Sequence, residues 1–490
     1  MLNPLPEFPD RPQAQPMDWG AVARAFDHFV MNPENRVRFH TASRDSAFTA
    51  FLEDGRYGAH HHELTTFGPI ALGKALLGQD VSELARSLRQ FYDPQQRIFL
   101  NSPGQPRVEW WYLMNVNALA AQLIRAALMD APEFVERWHA SAERLIELAR
   151  RVFYDFNDQG YDFISGTAWT DRHEYRQPDA IAAYSYLMLL AHSAFGDPLF
   201  LEEARAAIYR YLAFEENPWY EIPSGAMGAA AAAHLAALGD PVDVDKAVRF
   251  ALDPHAALVT GAWNGQEVNG LARGWRHAKP ESAYSMESLV LLPYLLPAAR
   301  RVPALAARFG RYALNAAANA RLFYTGCAPH ESRPDLEPSV AYERLYQEHA
   351  GRSPYAAGDF AGHKSIYGGA YALWWAALIQ PTGDPYLLRL DLTRTDFLTP
   401  DAHPAFLYYN PYPEEKVVRH PLPESALNAR IWDVYDLTEH RITQQGAAGS
   451  AEIALPPLGA RIITTLPVPT RLQREGPRLL ADGLVVDWGI

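Results

Sequence analysis

Two kinds of helical segment alternate along the first 380 residues, and that alternation restricts the fold more than any other feature of the chain. Segments such as 81–93 (VSELARSLRQFYD), 132–153 (PEFVERWHASAERLIELARRVF) and 199–214 (LFLEEARAAIYRYLAF) repeat apolar residues at three- and four-residue spacing. Each reads as a helix with one buried stripe and one wet face. Segments such as 117–129 (NALAAQLIRAALM), 180–195 (AIAAYSYLMLLAHSAF), 225–238 (GAMGAAAAAHLAAL) and 368–379 (GGAYALWWAALI) are apolar or small all round. A helix without a polar face is buried on every side.

The pattern predicts outer helices near residues 17–32, 81–93, 131–153, 198–215, 242–253 and 303–323. Inner helices are expected near 62–78, 109–129, 177–196, 223–239, 280–297 and 367–380. Inner-to-outer turns are short and share a signature: Gly78-Gln-Asp80, Gly196-Asp-Pro198, Gly239-Asp-Pro241, and Gly383-Asp-Pro385 after the last inner helix. Glycine suits the left-handed position that ends a helix, aspartate caps the next one, and proline fits its first turn. Outer-to-inner connections are long and must all lie at one end of the inner helices. Six such pairs predict a mainly α protein, an (α/α)6 toroid, over residues 1–385.

Beyond Pro385 the period changes from three-and-four to two. Short alternating runs (AFLYYN, KVVRH, AEIAL, ARIITTL) separated by Asn410-Pro-Tyr-Pro413 and Pro456-Pro-Leu-Gly459 predict a small antiparallel β-domain, sandwich-like, over 386–490.

Composition excludes several classes. The single cysteine, Cys327, rules out an internal disulfide framework. A net charge of -13 argues against nucleic acid as partner. No apolar run is long enough for a membrane span. The first residues carry no basic stretch followed by an apolar one, so a cytoplasmic protein is expected. No glycine-rich phosphate loop follows a strand, and His60, His61 and His62 have no second ligand cluster, so neither a cofactor nor a metal is expected.

Long loops at one face mark the place for chemistry. They hold 10 of the 17 histidines. Trp169, Trp219, Trp263 and Trp275 lie in them, and Trp110 and Trp111 open the second inner helix. Indole rings suit stacking against the C–H faces of sugars. The third loop runs Trp169-Thr-Asp171-Arg-His-Glu174-Tyr-Arg176-Gln-Pro178-Asp179, and the fifth Trp263-Asn-Gly-Gln-Glu267-Val-Asn-Gly270-Leu-Ala-Arg273-Gly-Trp275. Both mix aromatic, acidic and basic side chains just before an inner helix. Glycoside hydrolysis needs two facing carboxyls, which such loops can supply. Asp171, Asp179, Glu267 and Asp359 are the first candidates for that pair, with Glu109 behind them. For Asp179 the competing reading is simple compensation of a helix dipole.

The sixth loop ends Gly358-Asp359-Phe-Ala-Gly-His363-Lys-Ser-Ile-Tyr367-Gly-Gly-Ala-Tyr371. His363 and Tyr367 at i, i+4 share a helix face. Such a pair could remove the C5 proton of a uronate and protonate the leaving oxygen, with Asn115 or Arg273 at the carboxylate.

Residues 17–380 resemble the six-hairpin glycosidase-like superfamily of (α/α)6 toroids with an appended β-domain. That resemblance implies a glycoside hydrolase, an unsaturated glycuronyl hydrolase or a polysaccharide lyase. The Asp359…His363…Tyr367-Gly-Gly-Ala-Tyr371 stretch looks like the corresponding segment of hyaluronate and chondroitin lyases, and Glu109-Trp-Trp…Asn115 like their tryptophan pair. Here the His/Tyr stretch falls in the last hairpin, and the arginine-rich signature after it is missing. The six loops carry 15 Lys+Arg against 18 Asp+Glu, so their face is not basic. A depolymerase of polyuronates needs positive field. The expectation is therefore a hydrolase of an oligosaccharide, with β-elimination as runner-up and a non-hydrolytic sugar-binding or terpenoid-type toroid as third reading.

Overall fold

A computed structural model describes residues 7–51, 60–263, 265–277, 283–324, 345–346, 357–358, 364–399, 401–423 and 431–489. Twelve helices lie among them: α1 (Trp19–Met31), α2 (Leu64–Leu76), α3 (Ser82–Arg86), α4 (Trp110–Ala127), α5 (Pro132–Arg151), α6 (Ala180–Phe195), α7 (Pro198–Ala213), α8 (Ile222–Ala237), α9 (Val244–Ala251), α10 (Ser285–Arg301), α11 (Ala306–Asn319) and α12 (Tyr367–Leu378).

The even-numbered helices are the inner ones. Each packs on the next, α2 on α4, α4 on α6, α6 on α8, α8 on α10 and α10 on α12, and α12 packs back on α2. Six inner helices therefore close a ring, and α1, α3, α5, α7, α9 and α11 pack around it. This is the (α/α)6 toroid. The ring is tight where it closes. A methyl group on Gly73 of α2 would stand 2.5 Å from Leu373 Cβ and 2.8 Å from Trp374 N of α12. Only glycine permits that approach.

The turn signature works as its chemistry requires. Gly78, Gly196, Gly239 and Gly383 all have positive φ. Asp197 accepts from Leu199 N–H, capping α7. One aspartate departs from expectation. Asp240 takes the Arg205 guanidinium at 2.9 Å instead, so α9 starts later, capped by Asp243 on Lys246 N–H. The second outer helix is also shorter than expected. After Arg86 it tightens to a 3-10 turn, Ser87–Phe91. Ser87 and Gln90 there bond the strand at Ser46.

From Leu388 the chain is mostly antiparallel strand. Leu388–Asp391, Ala405–Tyr409, Ala460–Pro467, Trp432–Asp436 and Arg441–Ala447 lie side by side in that order. Lys416–Pro421 pairs with Ser450–Leu455 as a second sheet. Leu390, Leu407, Tyr409 and Ile462 from one face of the five-stranded sheet join the apolar core of the ring. Tyr408, Val434 and Ile463 from the other face meet Val418, Ile453 and Leu455 in a separate core between the two sheets. An ion cluster ties strand region to ring: Asp396 takes Arg300 and Arg301, both at the end of α10, at 3.0 Å each. Arg301 Nε also donates to His234 Nδ1 of α8 at 2.8 Å.

Candidate active site

All six inner helices begin at the same end of the ring, where the long loops lie. Four of them open on a carboxylate that serves its own helix poorly. Glu63, Glu109, Asp179 and Glu221 occupy the residue just before α2, α4, α6 and α8, yet none caps its helix with its side chain. Glu287 lies in the first turn of α10. The sixth helix opens on Tyr367. Dipole compensation alone would leave such side chains in solvent. Here Glu63, Asp179, Glu221 and Glu287 are all buried, and Glu109 is half-buried.

Hydrogen bonds run between neighbouring helix starts. Tyr367 donates to Glu63 Oε2, and His61 Nε2 lies 2.7 Å from Glu63 Oε1. Glu109 accepts from Gln159 Nε2 and Gln177 Nε2, each at 3.0 Å. Gln177 Oε1 accepts Trp111 N–H at 2.8 Å. Asp179 Oδ2 accepts both Tyr220 N–H and Glu221 N–H at 3.0 Å. A small sheet holds Glu109 in place. Arg107–Glu109 pairs with Gly160–Asp162, which pairs with Thr167–Trp169. Gly160 faces the Val108 carbonyl so closely that a methyl group would lie 2.1 Å from its oxygen.

Burial and mutual charge move these carboxyls strongly. Burial pushes Asp179 up to about 7 against the pull of its two backbone bonds. Burial likewise takes Glu287 up to about 7. Glu221 rises well above the usual carboxylate range, through burial first, then the charges of Glu287, Asp179 and Glu109. Among the described residues its Oε2 is buried without a hydrogen-bond partner, as is Asp179 Oδ1. Burial raises Glu109 as well, opposed by the two glutamine amides. The half-buried Tyr112 is raised by desolvation and by Glu63, Glu109, Glu221 and Glu287, so its phenol sits among four carboxyls and stays protonated. Tyr367 is raised by burial and by Glu63 and Tyr112.

Crowded carboxyls with separated proton affinities are the raw material of acid–base chemistry. In such a set the group with the highest affinity holds a proton at neutral pH while its neighbour can ionise. Among the described residues no group of three or more His, Cys, Asp or Glu side chains is arranged to hold a metal ion. Nor is any helix there long and apolar enough to cross a membrane.

The expected site residues divide. Glu109, Asp179 and Tyr367 lie at the helix starts with Trp111, whose ring lies tilted against that of Tyr112 with centroids 3.8 Å apart. Asn115 lies one turn deeper and accepts from Tyr294 at 3.3 Å. Trp219 is buried beneath the Arg273 guanidinium at 5.8 Å, and Trp275 packs on Tyr284 at 5.3 Å beside the Glu221 backbone bridge. Trp110 is wholly buried on Phe156 and Tyr161, so its ring is core rather than a ligand platform. Trp169 lies under Arg107 on the outer hairpin, and Arg176 is turned to His173. Trp263 sits half-buried in the short hairpin with Gln266–Glu267.

Asp171 is exposed, its carboxyl 3.7 Å from Arg107, and its backbone N–H donates to Oε1 of Gln159, whose amide nitrogen holds Glu109. Glu267 is buried but engaged elsewhere: it accepts Gln13 N–H and Asn269 Nδ2, each at 2.8 Å, anchoring the N-terminal segment. Asp359 and His363 lie outside the described residues. Sequence reasoning passed over Glu63, Glu221, Glu287 and Tyr112. One signal was available: an acid recurs at the start of every inner helix but the last, a repeat of position rather than of motif.

No family model matches the chain, and no curated protein matches its sequence. Solved structures do. A family 76 glycoside hydrolase from a bovine Bacteroides thetaiotaomicron strain aligns over 74% of this chain and 77% of its own, at 10% identity and a TM-score of 0.48. A family 127 β-L-arabinofuranosidase from Geobacillus stearothermophilus T6 aligns over 96% and 85%, at 12% identity and 0.42. Cellobiose 2-epimerase from Spirochaeta thermophila aligns over 73% and 94%, at 13% and 0.43.

Proposed function

We propose that this protein is a carbohydrate-active enzyme that hydrolyses a glycosidic bond in an oligosaccharide, with Glu221 and Glu287 as the working pair. The observation that carries the reading is a pair of buried carboxyls at the starts of two inner helices that pack on each other, Glu221 before α8 and Glu287 in the first turn of α10, both raised by burial, with the charge of Glu287 adding to the rise of Glu221. Protonated Glu221 donates to the departing glycosidic oxygen as the C1–O bond breaks. Ionised Glu287 faces the positive charge growing at the anomeric carbon and receives the proton of the incoming water or bonds the carbon directly. Glu109 stands by at the rim, held by two amides. The phenols of Tyr112 and Tyr367 offer hydrogen bonds to sugar hydroxyls, and the half-buried Trp275 offers an apolar face.

In the β-elimination reading one of His363 and Tyr367 removes the C5 proton and the other protonates the leaving oxygen. The Tyr367 hydroxyl donates to Glu63 and burial holds it protonated, which suits the second task and not the first. The test is a screen of neutral oligosaccharides and aryl glycosides, read as new reducing ends or released phenol. Glu221→Gln and Glu287→Gln should each abolish the signal. A product with the ultraviolet absorption of an unsaturated uronate would overturn the hydrolase reading.

A further inference from the structure

Asp179 is built differently from the other carboxyls of the ring. Its carboxyl does not cap its own helix α6. It reaches across to the segment that leads into α8, where Oδ2 accepts two consecutive backbone N–H groups, those of Tyr220 and Glu221. Two bonds to one oxygen fix the peptide planes on both sides of Tyr220. They thereby fix where the Glu221 side chain starts. The residue is 1% exposed, and its other oxygen, Oδ1, has no hydrogen-bond partner among the described residues. A carboxyl enclosed to that degree has little access to a sugar. It is well placed to act through its neighbour.

We propose that Asp179 is a positioning residue: it clamps the backbone at Tyr220 and Glu221 and so holds the Glu221 carboxyl against that of Glu287. This rests on Glu221 as the proton donor of the proposed hydrolysis. The clamp also has an electrostatic side. The groups that face Glu221 are Glu287 from α10, Glu109 before α4, Asp179 before α6, and the phenols of Tyr112 and Tyr220. Asp179 itself faces Arg276, Tyr211 and Tyr220. Ionised Asp179 makes Glu221 keep its proton to higher pH.

Asparagine separates clamp from charge. Its carbonyl oxygen can take the two N–H bonds, and its amide nitrogen replaces the oxygen that has no partner. Alanine removes both. The experiment follows the carboxyl carbon of Glu221 by NMR titration in glutamate-labelled protein, assigned by its absence in Glu221→Gln. In Asp179→Asn the Glu221 titration should move down by about one pH unit, the size expected for loss of one neighbouring charge. Where an aryl glycoside is turned over, the basic limb of kcat/KM should move down with it while kcat stays within about ten-fold. Asp179→Ala should lose kcat further, and if it fails to fold, the asparagine variant alone decides.

A kcat in folded Asp179→Ala no lower than that of Asp179→Asn overturns the clamp, and an unchanged Glu221 titration in Asp179→Asn overturns its electrostatic side. Complete loss of turnover in folded Asp179→Asn overturns the whole proposal, since it would make Asp179 a reacting group. Absence of any glycoside turnover in the unaltered protein would count against the hydrolase reading only, because the titration does not depend on it.

Discussion

Tyr367 donates its phenol proton to Glu63 across 304 residues of sequence. The first residue of the last inner helix thus bonds the carboxyl before the first inner helix, at the seam where the ring closes. Removing the hydroxyl leaves a buried carboxyl oxygen without its donor. An unpaired buried acceptor costs about 1–3 kcal/mol. Tyr367→Phe should therefore lower the urea midpoint by a matching amount, with unchanged far-ultraviolet circular dichroism.

Glycine on the same seam gives a second measure of it. Gly73→Ala would drive a methyl group into Leu373 and the Trp374 backbone. Overpacking of that kind costs about 1–3 kcal/mol. Thermal unfolding should show the loss. Gly78→Ala should behave otherwise: none of the described residues lies within 4 Å of its methyl group, so its cost comes from positive φ.

Loss of the acid or its partner should be severe for turnover and mild for the fold. General acid–base groups contribute about 10²–10⁴ in rate. Glu221→Gln and Glu287→Gln should each lower kcat by at least that range on an active glycoside. Each also replaces a carboxyl whose charged form burial disfavours with a neutral amide of the same shape, so neither should lower thermal stability. A variant that keeps its activity would move the acid elsewhere in the ring.

Stability should fall as pH rises towards neutrality. Asp179 titrates near 7 in the folded chain against an ordinary value of 3.8, so between these the folded state binds the extra proton. Stability from such a group is complete below about 4 and is lost as pH climbs through 7. Glu287 acts in the same sense from its own ordinary value of 4.5. Chemical denaturation at pH 5 and pH 8 should show a smaller decline for Asp179→Asn than for the unaltered chain. Equal declines would mean that Asp179 ionises normally when folded.

The division proposed at residue 385 has its own test. Asp396, beyond that point, neutralises part of the buried Arg300 and Arg301 pair of α10. Removing one partner of a buried ion pair costs about 3–5 kcal/mol. Asp396→Asn should be destabilised by that order. A chain ended at 385 should be worse, since it also uncovers the ring core that Leu390, Leu407 and Ile462 complete. Soluble, cooperative unfolding of the shortened chain would show the helical part to be self-sufficient.

The ring was legible because its cause is local. Segments 180–195 and 225–238 carry no polar face, and a helix of that kind has only one place to go. The Gly-Asp-Pro turns marked the joins, and Asp240 misled only because Arg205 claims it first. The site was harder. Asp171 and Glu267 stand in chemically dense loops, yet one is exposed beside Arg107 and the other holds Gln13. Glu221 and Glu287 sit in plain sequence, Tyr-Glu-Ile-Pro and Ser-Met-Glu-Ser, with nothing local to mark them. Their meaning comes from the neighbours that ring closure brings, and no window of sequence contains those neighbours.

The seam between α2 and α12 also bears on how the chain reaches this state. During synthesis the Glu63 side must wait until residues 367–378 have emerged before its last neighbour exists. Until then the α2 flank that will meet α12 stays apolar and uncovered. Contacts so distant in sequence form slowly, and uncovered apolar surface is what aggregates in the interval. Slow final docking of the last hairpin, rather than formation of any single helix, should therefore limit the rate at which this protein becomes native.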